Sequence, residues 1–154
     1  MIEVEYLGNK KILKAHKTAF LCSRKVSSET ILKSLDWAVD QKNQNKCIIS
    51  GFHSPIEKDV FNILLKGEQP IILVLARGMQ KRWTQNIRDA LDKNRLLILS
   101  PFPNDVVKIT RDTAEIRNRY MLELADDYFI PYLAKGGMLD KILYEKNNSL
   151  SLFQ

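Results

Sequence analysis

The stretch PIILVLARGMQKRWTQNIRDALDKNRLLILS, residues 70–100, decides the fold of this sequence. Residues 70–75 (PIILVL) and residues 96–99 (LLIL) are apolar throughout, which is typical of strands that are buried on both faces. Between them, residues 81–93 predict a basic helix. Two buried strands joined by a crossover helix indicate a parallel sheet covered by helices.

The same alternation continues in both directions along the chain. Further strands are predicted at residues 18–21 (TAFL), 47–50 (CIIS) and 128–130. Further helices are predicted to start at Ser27 or Ser28 and at Ser54, to cover residues 110–124, and to follow Gly136-Gly137 as far as about Tyr144. The prediction is an α/β fold with a Rossmann-like, mainly parallel sheet and helices on both faces. One domain is expected over residues 1–154, with its core at about residues 6–144 and no assignment for the tail 145–154.

The composition narrows the class of protein. No apolar run reaches the roughly 20 residues that span a bilayer, and the first residues lack the apolar core of a secretory signal, so a cytoplasmic protein is expected. Cys22 and Cys47 are too few for a zinc site and are interpreted as reduced core thiols. We expect no metal and no cofactor. The net charge of +6 favours a polyanionic partner.

Polar and basic residues follow the predicted strands. In an open parallel sheet, ligands bind beyond the carboxyl ends of the strands, where hydroxyls, helix N-termini and guanidinium groups can hold phosphate. We therefore expect Ser23, Gly51, Arg77 and Ser100 at one common edge of the sheet. The candidate phosphate-binding residues are Ser23, Arg24, Lys25, Ser50, Gly51, Arg77, Lys81, Arg117, Asn118 and Arg119.

Each candidate also has an ordinary structural explanation. A Ser-Arg pair after a strand is more often a helix cap beside a solvated charge, and His53 with Glu57 is more often part of a cap than an acid–base pair. Trp83 is expected to pack in the core unless it lies at a loop tip, where it could stack on a base. Arg117 and Arg119 are two residues apart on a helix and therefore lie on different faces, so unequal roles are expected. Neither G-x-G-x-x-G nor G-x-x-x-x-G-K-[ST] is present, which argues against dinucleotide binding and a P-loop.

The ordered motifs resemble those of the DNA-processing protein A family (DprA, also called Smf). The lead-in Tyr6-Leu7-Gly8-Asn9, the strand ending Cys22-Ser23-Arg24 and the turn Ser50-Gly51 are similar to family motifs. Later in the chain, the same holds for three further segments, Ser100-Pro101-Phe102-Pro103, Arg117-Asn118-Arg119 and Gly136-Gly137. Cys22 stands where the family has glycine, and the family's Gly-rich segment after the second strand is replaced by residues 52–57. The resemblance implies a Rossmann-like domain that binds single-stranded DNA, dimerises and helps load a recombinase.

Three functions remain open at this point. The first is non-catalytic binding of single-stranded DNA through the candidate residues, and the second is binding or sensing of one mononucleotide in the same place. The third is a phosphoribohydrolase of the related LOG group, whose motif P-G-G-x-G-T-x-x-E supplies a catalytic glutamate. Residues 135–143 here read KGGMLDKIL and lack that threonine and glutamate, so an enzyme is not favoured.

Overall fold

The computed structural model describes residues 3–152; the remaining residues of the predicted domain, 1–2 and 153–154, lie outside the described range. The elements follow one another as β1 (Glu5–Gly8), a 3-10 helix (Lys10–Lys14), β2 (Lys17–Phe20), α1 (Ser28–Gln41), β3 (Cys47–Ser50), α2 (Pro55–Leu65), β4 (Ile71–Val74), α3 (Gln85–Asp92), β5 (Leu96–Ser100), α4 (Arg111–Leu124), β6 (Asp127–Phe129) and α5 (Met138–Leu152). Among these elements, no helix is long and apolar enough to cross a membrane.

The six strands form one sheet in the order β1-β5-β4-β3-β2-β6. All neighbouring pairs are parallel except β1 with β5, which is antiparallel. The predicted Rossmann-like α/β fold is therefore confirmed. Strand β1 was not predicted from the sequence, because all four of its residues are exposed and it has no buried apolar run that would mark it as a strand.

Helices cover both faces of the sheet, and each face has its own core. On one face, Ala38, Val60 and Ala90 bring α1, α2 and α3 against the sheet. On the other face, Met121 of α4 and Ile142 of α5 pack against it. The connections from β2 to β5 progress in one direction along the sheet, whereas α4 carries the chain back to place β6 beside β2. The strand order therefore reverses between β2 and β6, which is the topological switch point.

The helix starts agree with the caps read from the sequence, with one exception. Ser27 accepts a hydrogen bond from the Thr30 amide, and Ser54 with Glu57 forms the predicted capping box. The helix predicted over residues 81–93 begins later, at Gln85. The Gly78 amide donates to the Val106 carbonyl at 2.7 Å, and this bond ties the segment after β4 to the loop after β5. Because α3 begins only at Gln85, Lys81 lies on a loop and not on a helix.

Candidate functional site

The carboxyl ends of the parallel strands meet at one edge of the sheet. Ser23 follows β2, Gly51 follows β3, Arg77 follows β4 and Ser100 ends β5. Since these four strands are mutually parallel and adjacent, the residues lie at the common edge that the sequence analysis expected. The Ser100 hydroxyl donates to the Arg77 carbonyl at 2.6 Å, so the last two of these strand ends are directly joined.

A cavity of about 530 Å³ opens at this edge, beside the switch point. We call it the switch-point cavity. Its walls come from the segment after β2, the start of α2, the N-terminal half of α4 and the start of α5. The charged residues that line it are Arg24, Glu57, Arg111 and Arg117. With three guanidinium groups against one carboxylate, the cavity is suited to an anion.

Arg117 forms the back wall of the switch-point cavity and is only 5% exposed. Its Nε donates to the Asn118 side-chain oxygen at 2.8 Å, and its Nη1 donates to the Val74 carbonyl at 3.3 Å. Burial lowers the pKa of Arg117, while the nearby Glu57 carboxylate acts in the opposite direction. The guanidinium lies directly against Gly51, where any larger residue would occupy its space. Arg117 therefore braces two strand ends and also presents charge to the cavity.

The acidic residue of the cavity is engaged in helix capping. One Glu57 oxygen accepts hydrogen bonds from the amides of His53 and Ser54, each at 3.0 Å. Burial and the cations Arg117, Lys58 and Arg24 lower the pKa of His53, against a smaller opposing effect of Glu57. An imidazole with a lowered pKa is neutral at pH 7. The pair therefore closes the start of α2 and does not add positive charge to the cavity.

The hydroxyls of the two predicted serines hold loops in place. The Ser23 hydroxyl oxygen accepts from the Ala134 amide at 2.8 Å, which fixes the segment before α5 against the end of β2. Ser50 is fully buried, and its hydroxyl oxygen accepts from the Phe52 amide at 3.2 Å. Phe52 has a φ of 45°, a left-handed conformation that is costly for a residue with a side chain. Ser50 thus supports the strained turn that follows β3.

The structure does not bring all the predicted residues to this cavity. Lys25 and Lys81 are exposed and line neither the switch-point cavity nor a second cavity on the other side of Arg117. Arg77 lines that second cavity, together with Arg117. Arg119 contacts Glu145 at 2.7 Å and Glu115 at 3.4 Å, and the hydrogen bond to Glu145 is the main reason that its pKa is raised.

Two further residues line the cavity, Thr110 and Arg111, and neither is among the candidate phosphate-binding residues named from the sequence. Thr110 caps α4 through a capping box with Thr113, and Arg111 is the first residue of that helix. The N-terminal end of α4 and one more guanidinium therefore face the cavity, both favourable to an anion. The sequence pattern T-x-x-T at residues 110–113, where an Arg-rich helix begins, could have indicated these two residues. Among residues 3–152, no group of three or more His, Cys, Asp or Glu side chains could hold a metal ion.

The fold and the position of the cavity define a Rossmann-like α/β protein with a candidate anion site at the switch point of its sheet. Residues 3–144 match the family described as DNA recombination-mediator protein A, and the chain belongs to this family. No curated protein matches the chain by sequence.

The fold is similar to that of solved structures, two of which are described by their proteins. One is DNA processing protein A from Helicobacter pylori, solved to explain the single-stranded DNA binding mode of that protein; it is 18% identical, with a TM-score of 0.68 over 88% of this chain and 62% of that one. The other is DNA processing protein A from Streptococcus pneumoniae, which is 19% identical, with a TM-score of 0.71 over 93% of this chain and 52% of that one. The chain thus spans about three-fifths and one-half of the lengths of these two proteins.

Proposed function

We propose that this chain binds single-stranded DNA without catalysis, and that the switch-point cavity holds the phosphate backbone. The observation that carries the proposal is the set of guanidinium groups at this cavity. Arg24 and Arg111 line it and are exposed, and neither guanidinium group forms a hydrogen bond or ion pair with any part of the chain that the structure describes. Unpaired guanidinium groups around a concave site are what a polyanion requires.

Each group has a distinct part in this mechanism. Arg24 and Arg111 neutralise backbone phosphates at the cavity mouth, while the N-terminal end of α4 offers amide donors to phosphate oxygens. Arg117 contributes its charge from the back wall without leaving its hydrogen bonds. The H. pylori relative, whose structure addresses single-stranded DNA binding, supports this choice of polyanion.

The non-catalytic part of the proposal rests on residues 135–143. The segment lacks the threonine and glutamate of the LOG motif. The nearest carboxylate in the segment, Asp140, accepts a hydrogen bond from the Gly136 amide at 2.8 Å and so caps the start of α5. Asp140 is not among the residues that line the switch-point cavity.

Binding of a free mononucleotide is the second candidate function. A cavity of about 530 Å³ lies within the size range of small-molecule sites, roughly 300–1,000 Å³. The two candidates differ in the number of phosphates neutralised. A strand that contacts three guanidinium groups should give a slope of about −2 in log K against log salt, at about −0.7 per contact, whereas one nucleotide gives a much shallower slope.

The test is a salt titration of fluorescently labelled oligo-dT, followed by anisotropy, with thymidine 5′-monophosphate as competitor. Arg24→Ala and Arg111→Ala should each weaken binding about tenfold and make the slope shallower by about 0.7. Lys25→Ala and Arg119→Ala are matched controls, since each removes one cation that does not line the cavity, and both should leave the slope within about 0.3 of the parent value. Equal effects of all four variants would refute the site. Full displacement of oligo-dT by micromolar mononucleotide would favour the second candidate.

A further inference from the structure

A second cavity lies beside the first, on the other side of Arg117. It has a volume of about 550 Å³ and lies between α2, the segment of residues 76–84 after β4 and the start of α3. His53, Ile109 and Arg117 line both cavities. A flexible chain seated in the switch-point cavity can therefore continue into the second cavity across a wall of these three side chains.

The wall of the second cavity includes an apolar and aromatic part. Phe52 and Phe61 stack with ring centroids 4.3 Å apart, and Leu75 and Ile87 line the same space. Trp83 lines the cavity as well and is only partly buried, so part of its surface remains accessible. Such a lining favours a flat, apolar group over a hydrated ion.

The rest of the lining is positive and polar. Lys58, Arg77 and Arg82 line the cavity, and no Asp or Glu does so among the described residues. The side chains of Lys58 and Arg82 form no hydrogen bond or ion pair within residues 3–152. The amide side chains of Asn62 and Gln80 are likewise unpaired within the described chain and can donate and accept hydrogen bonds.

We propose that the second cavity is a nucleotide subsite, which takes the base of a neighbouring nucleotide of the same single strand. The base packs on the apolar and aromatic part of the cavity wall, and the side chains of Asn62 and Gln80 lie at the edge of the base. The phosphate of that nucleotide is held by Arg82 and Lys58. The inference rests on the proposed binding of single-stranded DNA and adds a specific position for one base. Stacking is tolerant of sequence, so the subsite accepts any of the four bases.

The experiment separates this inference from the proposed function by using two signals in one titration. In a Trp37→Phe background, Trp83 is the only tryptophan, because the chain has two. Anisotropy of a labelled oligo-dT of about ten nucleotides reports binding, and Trp83 fluorescence reports occupation of the second cavity. We expect the rise in anisotropy and the quenching of Trp83 fluorescence to saturate at the same DNA concentration. The reverse variant, Trp83→Phe with Trp37 retained, should show binding without quenching, since Trp37 lines a different groove, beside Phe129.

Neighbouring cations provide the matched pair of variants. Arg82→Gln should weaken oligo-dT binding about five- to tenfold, whereas Lys81→Gln, which alters the adjacent residue outside the cavity, should change it less than twofold. Circular dichroism of each variant verifies the fold. DNA binding with unchanged Trp83 fluorescence and equal effects of the two variants would overturn the subsite but leave the proposed function intact. Absence of any DNA binding would overturn both. Quenching by thymidine 5′-monophosphate without quenching by oligo-dT would overturn the assignment to a bound strand and identify a free nucleotide as the ligand of this cavity.

Discussion

The contact between Gly51 and Arg117 gives a quantitative test of how the common edge of the sheet is built. Any side chain at Gly51 would overlap the Arg117 guanidinium. In Gly51→Ala, the guanidinium must therefore move, and its hydrogen bonds to the Val74 carbonyl and to Asn118 are lost. Hydrogen bonds to a charged group contribute about 1.5–3 kcal/mol each, and the displaced group regains water in the cavity. We therefore expect the free energy of unfolding to fall by about 2 kcal/mol, equivalent to a decrease in Tm of roughly 4–8 °C for a chain of this size.

The same substitution should cost little once the guanidinium is absent. In an Arg117→Met background, the alanine methyl group has room, and the φ of Gly51 is not in the positive range. Gly51→Ala should then be neutral or stabilising by about 0.4–1 kcal/mol, because alanine restricts the unfolded chain. Urea unfolding of the four proteins, followed by tryptophan fluorescence, measures a coupling energy of about 2 kcal/mol or more.

A second glycine serves as the control for this double-mutant cycle of Gly51 and Arg117. A Cβ at Gly67 would meet the Lys42 carbonyl, which is far from Arg117 in the fold. Gly67→Ala should therefore destabilise the parent and the Arg117→Met protein equally. If Gly51→Ala also has equal costs in the two backgrounds, within about 0.5 kcal/mol, Arg117 does not lie against Gly51 and the described geometry of the edge is wrong.

Three further outcomes follow from single groups. A bound phosphate should raise the lowered pKa of His53, so that DNA binding takes up a proton. The affinity for oligo-dT should therefore rise as the pH falls from 7 to about 5.5, and His53→Ala should remove most of that rise. Burial raises the pKa of Cys22 to about 11 and that of Cys47 to about 12. The native protein at pH 7.5 should therefore react with a disulfide reagent about a hundredfold more slowly than the urea-unfolded protein, and a fast reaction of the native protein would contradict the burial of the two thiols. Arg95 donates to three backbone carbonyls at the end of α2 and in the turn that follows it, so Arg95→Ala should lower the free energy of unfolding by about 2 kcal/mol in urea titrations, and Arg95→Lys should recover less than half of that loss.

The central sheet could be predicted because its strands are buried on both faces. Four of the parallel strands, from β2 to β5, have every residue buried, and three of them, β3 to β5, consist mainly of consecutive apolar residues in the sequence. The start of α2 was equally predictable, since a capping box is a local pattern. Strand β1 lies at the edge with both faces exposed, so pairing with β5 over a long sequence separation determines its conformation.

The location of the candidate site was predictable from the sequence, and the arrangement of its side chains was less so. Parallel topology brings strand ends together, so the common edge followed from the strand pattern alone. Which of Arg117 and Arg119 faces inward depends on how α4 rotates against the sheet, and this is set by the burial of Met121 and Leu122. The ion pairs of Arg119 with α4 and α5 residues need the same tertiary information.

The sheet order also has a consequence for the sequence of events during synthesis. Strands β2 to β5 are joined in the order in which they leave the ribosome, so each new strand can pair with the one before it. The two edge pairs do not form in this order. Strand β1 can pair only after β5 has been synthesised, and β2 can pair with β6 only after residue 127, where β6 begins, has been synthesised. The hydrogen bond from Ala134 to Ser23 forms later still. A nascent chain therefore has a folded centre before the switch-point cavity is complete, and we expect the proposed anion binding to appear only after the cavity residues at the start of α5, up to Leu139, have emerged.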